Sequence, residues 1–208
     1  MELFIYLFAS LFSVLNPIGA VPIFVGMTSH FEKPERLRVS LWTSINVLLI
    51  LIISYFVGQY VLSFFGITIN ALRIAGGIII ANSGFALLNT NFNKTRGINK
   101  KVEMASQSRS DISLTPLAIP ILAGPGSISL LIAFYQEHHA KVTDIVSSVI
   151  AIIMVSAVIY LILRSAHYLA KALGPSGIIA ISRIVGFLTI AIGVQYIISS
   201  VLSIIRGI

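Results

Sequence analysis

A chain of 208 residues that is 57% hydrophobic and 10% charged departs from a soluble domain of its size, where about 25% of residues are charged. With a mean hydropathy of +0.98, water is excluded as its only solvent, and the absence of cysteine excludes a disulfide framework, a thiolate metal site and a cysteine nucleophile. The net charge of +7 is scattered over short stretches between apolar segments, so it reports membrane topology and not a nucleic-acid-binding face.

Asp, Glu, Lys and Arg leave six gaps, at residues 3–31, 39–72, 74–93, 112–136, 145–163 and 184–205. Each fits or exceeds the roughly 20 residues that carry a helix across a ~30 Å hydrocarbon core, and the expected class is an all-α integral membrane protein with six transmembrane helices. The first gap follows Glu2, not a basic n-region, and contains Asn16, Pro17 and Pro22, which marks a mature span and not a signal peptide. Neither proline can donate to the carbonyl four residues earlier, at Ser13 and Ile18, so a discontinuity is expected. Asn16 before Pro17 is an N-cap followed by a favourable first helical residue, the start of a fresh half-helix. The N–H groups of Ile18, Gly19 and Ala20 are then expected to be unpaired, at a positive dipole end suited to a carboxylate, with the opposing carbonyls suited to an ammonium or a cation.

The second gap contains Val47–Phe56, apolar on every side and unlike the alternation of a membrane β-barrel. The third opens at Arg73, with Gly76 and Gly77 permitting close helix approach and Asn82 about one and a half turns further on, at a depth that places it at a solute path. Residues 93–111, within the polar and basic stretch Asn89–Asp111, read as a linker. The fourth gap carries Pro116, Pro120, Gly124, Pro125 and Gly126, a second discontinuity, with the N–H groups of Gly126, Ser127 and Ile128 expected to be exposed. His138 and His139 follow it side by side, without the i, i+4 spacing of paired metal ligands, so no metal is expected. In the sixth gap, Arg183 marks the helix start and Gly186 the close packing; the polar residues Asn46, Gln59, Ser83, Thr189 and Gln195 are read mainly as interhelical hydrogen-bonding groups.

With six spans, the connections after the first, third and fifth hold Lys33, Arg36, Arg38, Lys94, Arg96, Lys100, Lys101, Arg109, Arg164, Lys171 and Arg183, against Arg73, Lys141 and Arg206 on the other side. The positive-inside rule makes the first set cytoplasmic, the 93–111 linker included, and both termini external. Internal similarity pairs Arg73-Ile74-Ala75-Gly76 with Arg183-Ile184-Val185-Gly186 at an offset of 183 − 73 = 110, and Pro17 with Pro125 at 125 − 17 = 108. Residues 1–92 and 112–208 are therefore expected to be two three-helix repeats, inverted because each has an odd number of spans.

Broken backbone facing lipid costs several kcal/mol per unsatisfied group, so both breaks are expected to face protein or a wet cavity. Glu2, Glu32, Glu35, Glu103, Asp111, Glu137 and Asp144 all fall near predicted ends or in loops, which leaves no carboxylate for a mid-membrane proton relay and favours a small neutral or zwitterionic solute. The spans hold no Ser-His or paired-aspartate constellation, so an enzyme is not expected. A secondary transporter, and a channel or facilitator for a small neutral solute, remain as the two alternatives.

The residues NPIGAVPIF of the first span, LAIPILAGPGSIS of the fourth and the two RI-x-G stretches resemble the MarC family of membrane proteins, also called the SnatA family, over essentially the whole chain. The resemblance implies transport of glycine and alanine across the cytoplasmic membrane, coupled to a proton or sodium gradient and needing no cofactor. On this sequence it implicates Asn16, Pro17 and Gly19, with the neighbouring Ile18 and Ala20, and Gly124, Pro125, Gly126 and Ser127 as the substrate-binding breaks. Asn82 is added from its depth. The expected partners are the amino acid and the lipid bilayer, with no nucleic acid; oligomeric state is left open.

Overall fold

The computed structural model describes residues 2–88, 113–138 and 141–206; the expected linker at 93–111 and His139 lie outside them. Among the described residues, eight helical elements follow one another: α1 (Glu2–Leu15), α2 (Pro17–Met27), α3 (Lys33–Phe65), α4 (Ile69–Leu88), α5 (Ser113–Leu122, wound as a π-helix), α6 (Pro125–His138), α7 (Val142–Arg164) and α8 (Ala166–Arg206). Among the described residues, Glu2–Met27, Lys33–Phe65, Ile69–Leu88, Val142–Arg164 and Ser176–Arg206 are long and apolar enough to cross a bilayer. The expected fourth span is the pair α5 and α6, 10 and 14 residues long, and each piece is too short to cross alone. The chain is thus an all-α, multi-pass membrane bundle.

Its burial pattern suits lipid. Trp42, Leu49, Ile53 and Phe56 of α3 and Ile184, Phe187 and Ile198 of α8 point outward, where a water-soluble bundle would place charge. Small hydroxyls turn inward instead: Ser44 donates to the Ser40 carbonyl at 2.9 Å and Ser148 to that of Asp144 at 2.7 Å, so each is satisfied within its own helix. The apolar interior is built by Leu7, Leu11 and Leu15 of α1, Phe24 of α2, Leu51 and Tyr55 of α3, Leu130, Leu131 and Phe134 of α6, and Ile152 and Ile159 of α7.

Helix ends follow local chemistry. Glu35 accepts from the Glu32 N–H at 3.1 Å at the start of α3, and Gly66, at φ 64°, ends that helix in the left-handed conformation while the Ile67 N–H reaches the Leu62 carbonyl at 2.9 Å, an αL helix stop. Gly174, at φ 63° and ψ 174°, interrupts α8 immediately before Pro175, so the membrane span begins at Ser176. Arg183 therefore does not start the last span. Nothing between Ser176 and Arg183 breaks the helix, and the arginine, exposed on the outer surface, has a stem long enough to lead its charge toward an interface.

Helices α4 and α8 run antiparallel at backbone contact. A Cβ on Gly77 would lie 2.6 Å from the Gly193 carbonyl oxygen, and one on Gly193 2.5 Å from that of Gly77; Gly84 and Gly186 face each other in the same way, at 2.6 and 3.0 Å. Without an aqueous hydrophobic effect to drive association inside lipid, such close approach supplies the packing that holds two helices together.

Candidate functional site

The first break is made by one residue. Asn16 takes a left-handed conformation, φ 42° and ψ 60°, the only non-glycine residue with positive φ among those described, and asparagine tolerates it better than other side chains. Its N–H closes α1 on the Phe12 carbonyl at 3.0 Å, its carbonyl accepts from Ala20 at 3.2 Å, and its side-chain Oδ1 accepts from the Gly19 N–H at 3.1 Å. A Cβ on Gly19 would overlap the Asn16 amide, so any larger residue there would force that side chain away from the Gly19 N–H. The expectation of three free N–H groups is corrected accordingly: those of Gly19 and Ala20 are paired, and that of Ile18 has no acceptor among the described residues. Pro22 makes no second break, and α2 continues through it to Met27.

The carbonyl of Ser13, stripped of its donor by Pro17, is not left free. The Thr189 hydroxyl of α8 lies 3.0 Å from it, 2.8 Å from the Val185 carbonyl and 3.0 Å from the Ser13 hydroxyl, so one buried side chain from the far end of the sequence ties the break in place. Thr189→Val is expected to leave that carbonyl without its cross-helix donor at a cost of about 1–2 kcal/mol, read as a lower thermal midpoint in detergent. A midpoint unchanged within error would mean that the break does not depend on α8.

The second break is built differently. Helix α5 is wound as a π-helix and closes with the Ala123 N–H on the Ala118 carbonyl, five residues back, at 2.8 Å. The chain then turns so that the Gly124 carbonyl accepts from Ser127 N–H at 3.1 Å, Ile128 N–H at 3.3 Å and Ser127 Oγ at 2.9 Å. The expected exposure of the Ser127 and Ile128 N–H groups is therefore also corrected; the Gly126 N–H is the one with no acceptor among the described residues.

The two breaks meet at a cavity of about 230 Å³. Asn16, Gly19 and Ala20 line it from the first break and Gly124, Pro125, Gly126 and Ser127 from the second, with Ile79, Ser83 and Leu87 of α4 as a wall. Pro17, Ile18 and Asn82 are not among its lining residues. The wall of α4 is an i, i+4, i+8 stripe, and Asn82 sits one residue, about 100°, off that stripe and exposed on the outer surface. Ser83, expected from the sequence mainly to hydrogen-bond between helices, is the polar side chain that α4 brings to the cavity.

No lining residue is ionisable, so polarity comes from the backbone, from Asn16 and from two serine hydroxyls. Val14 and Leu15, also in the lining, have carbonyls with no N–H donor among the described residues, because the N–H groups four residues on belong to Ile18 and Gly19. The cavity therefore offers a donor at Gly126, at the positive end of α6, and acceptors at the negative end of α1, a polarity that suits a zwitterion. It is smaller than the roughly 300–1,000 Å³ of pockets for drug-sized ligands. Among the described residues, no three His, Asp or Glu side chains come together as a metal site.

Comparison with known proteins agrees in extent with this architecture. The description "MarC family integral membrane protein" matches residues 1–205. A membrane protein of Buchnera aphidicola subsp. Schizaphis graminum is 36% identical over 195 residues, covering 94% of this chain and 90% of its own. The membrane protein YhcE of Escherichia coli K12 is 32% identical over 200 residues, 96% and 92% of the two chains, and the inner membrane protein MarC of Salmonella paratyphi A is 36% identical over 204 residues, 94% and 92%. No solved structure matches. Matched by that description over residues 1–205 and by these relatives over nearly its whole length, the chain belongs to the MarC family of integral membrane proteins.

Proposed function

We propose that this protein is a secondary transporter that moves small neutral amino acids, glycine and alanine, across the cytoplasmic membrane by alternating access, driven by a proton or sodium gradient. The observation that carries the reading is the cavity at the two helix breaks, with a free N–H at Gly126, free carbonyls at Val14 and Leu15 and no ionisable side chain in its lining. A carboxylate satisfies the first and an ammonium the second, while a net charge would meet no counter-charge in a low-dielectric setting. The inner-membrane name of the Salmonella relative supports the same location here.

In this reading α1–α2, α3 and α4 form one repeat and α5–α6, α7 and α8 its inverted copy, with six crossings and both termini outside. The glycine contacts support the symmetry: adding 109 carries Gly77 to Gly186 and Gly84 to Gly193 (186 − 77 = 109, 193 − 84 = 109), so the Gly77–Gly193 contact maps onto Gly186–Gly84. That offset falls between the 108 and 110 of the sequence matches. At the same offset Thr189 corresponds to Ile80, whose Cγ1 would lie 2.9 Å from a Cβ on Gly126. One break is thus tied by a hydroxyl and the other packed by an alkyl group, an asymmetry that leaves the Gly126 N–H for the solute.

Isothermal titration of glycine into the detergent-purified protein tests the site. Saturable binding of one glycine per chain, displaced by alanine and weakened by Ser83→Ala, supports the reading. Binding of a charged amino acid in preference to glycine counts against it.

A further inference from the structure

The cavity lies to one side of the breaks. Along α4 its lining runs from Ile79 to Leu87, and along α2 as far as Ile23, toward the C-terminal end of α4. In the other direction α4 and α6 close on each other. A Cβ on Gly76 would lie 2.5 Å from Ser129 Cβ, and one turn beyond, the Arg73 guanidinium pairs with the Glu137 carboxylate. Gly76 lies about two turns before Ser83 on nearly the same side of α4, and Arg73 stands about 60° around the axis from Gly76, so the ion pair lies just beyond the α4–α6 contact, at the outer end of the helix that walls the cavity.

Around the pair, Tyr6 of α1 stacks on Phe134 of α6 with ring centroids 6.1 Å apart, and Tyr6 and Tyr196 of α8 lie within the electrostatic reach of both charges. Four helices, α1, α4, α6 and α8, converge on this plug. The Arg73 side chain is 11% exposed and that of Glu137 51%, so on separation the carboxylate is hydrated while the guanidinium stays largely shielded. With one partner half-exposed, the pair holds the closure less tightly than a fully buried one would.

We infer that the Arg73–Glu137 ion pair is the latch that seals the cavity from the membrane face bearing the N-terminal end of α4, and that breaking it admits solute from that face. This rests on the transport reading for the identity of the solute, but the closure itself is a property of the α4–α6 contact. It also accounts for an arginine and a glutamate inside the ends of apolar helices, where an unpaired charge is costly.

Because the chain has no cysteine, Ile79→Cys places a single thiol in the cavity wall without removing a polar group assigned to the solute. Its reaction with a membrane-impermeant maleimide is measured in vesicles of both orientations, with folding monitored by gel filtration. With the pair intact, labelling is expected chiefly from the face that bears the C-terminal end of α4. Arg73→Gln or Glu137→Gln should raise labelling from the opposite face about two- to fivefold, the range open to a half-exposed pair. The charge swap Arg73→Glu with Glu137→Arg should bring it back, and Arg73→Lys should behave as the parent. Equal labelling from that face with and without the pair, in folded protein, overturns the latch, as does a swap or a lysine that labels like Arg73→Gln. Glycine protection of the same thiol is read in parallel. Its absence, with labelling still governed by the pair, would overturn the solute assignment and leave the latch standing.

Discussion

Gly193→Val should be the most destabilising single change in this protein. Its first added carbon would lie 2.5 Å from the Gly77 carbonyl oxygen and 2.6 Å from the Ala81 backbone nitrogen, and neither can move without shifting α4. Overpacking against side chains costs about 1–3 kcal/mol; against backbone it exceeds that range. The thermal midpoint in detergent should fall by many degrees, with Gly193→Ala intermediate. Gly177→Ala is the control, since the Cβ added there meets only the Leu173 side chain of its own helix, at 3.2 Å. A midpoint for Gly193→Val equal to that control would mean that α4 and α8 are not held at backbone contact.

Asn16→Ala should have the largest effect on solute binding while leaving the bundle folded. The substitution removes the acceptor for the Gly19 N–H, worth about 1 kcal/mol as an N-cap. It also leaves an alanine in a left-handed conformation that costs a further ~1 kcal/mol or more. Relaxation of that strain moves the end of α1 and the start of α2 together, and with them one wall of the cavity. Glycine affinity should fall by about tenfold or more, since ~1.4 kcal/mol is a factor of ten. Asn16→Gly, which accepts the dihedral but lacks the cap, should fall between alanine and the parent. Undiminished affinity in Asn16→Ala would remove the first break from the site.

The spans were legible because charge is expensive in hydrocarbon, so gaps in Asp, Glu, Lys and Arg mark them wherever a helix ends at a charge. The third and the last misled at their starts, because Arg73 sits inside a helix that begins at Ile69 and Arg183 inside one that begins at Ser176, where only the backbone at Gly174 reveals the bend. Proline placed both discontinuities, yet it could not tell a break from a tolerated proline: Pro17 follows an asparagine able to adopt positive φ, and Pro22 does not. The N–H pairing was hidden for a related reason. Asn16 serves Gly19 with its side chain and Ala20 with its carbonyl, and the Gly124 carbonyl collects three donors, so short loops satisfied groups that a straight half-helix would have left bare.

Depth along a helix was readable, but rotation about its axis was not. Asn82 and Ser83 are equally deep, and only the packing of α4 against α8 through Gly77 and Gly84 decides which faces the cavity. Thr189 and Ser13 are 176 residues apart, a pairing that no local pattern announces.

Coupled transport is tested by uptake of labelled glycine into liposomes holding the purified protein, with proton and sodium gradients imposed separately and collapsed by an ionophore. Saturable accumulation above the external concentration is expected under one of the two gradients, abolished by the ionophore and competed by alanine. Equilibration without accumulation would mean a facilitator, and no glycine entry into liposomes that retain folded protein would contradict a glycine transporter of either kind.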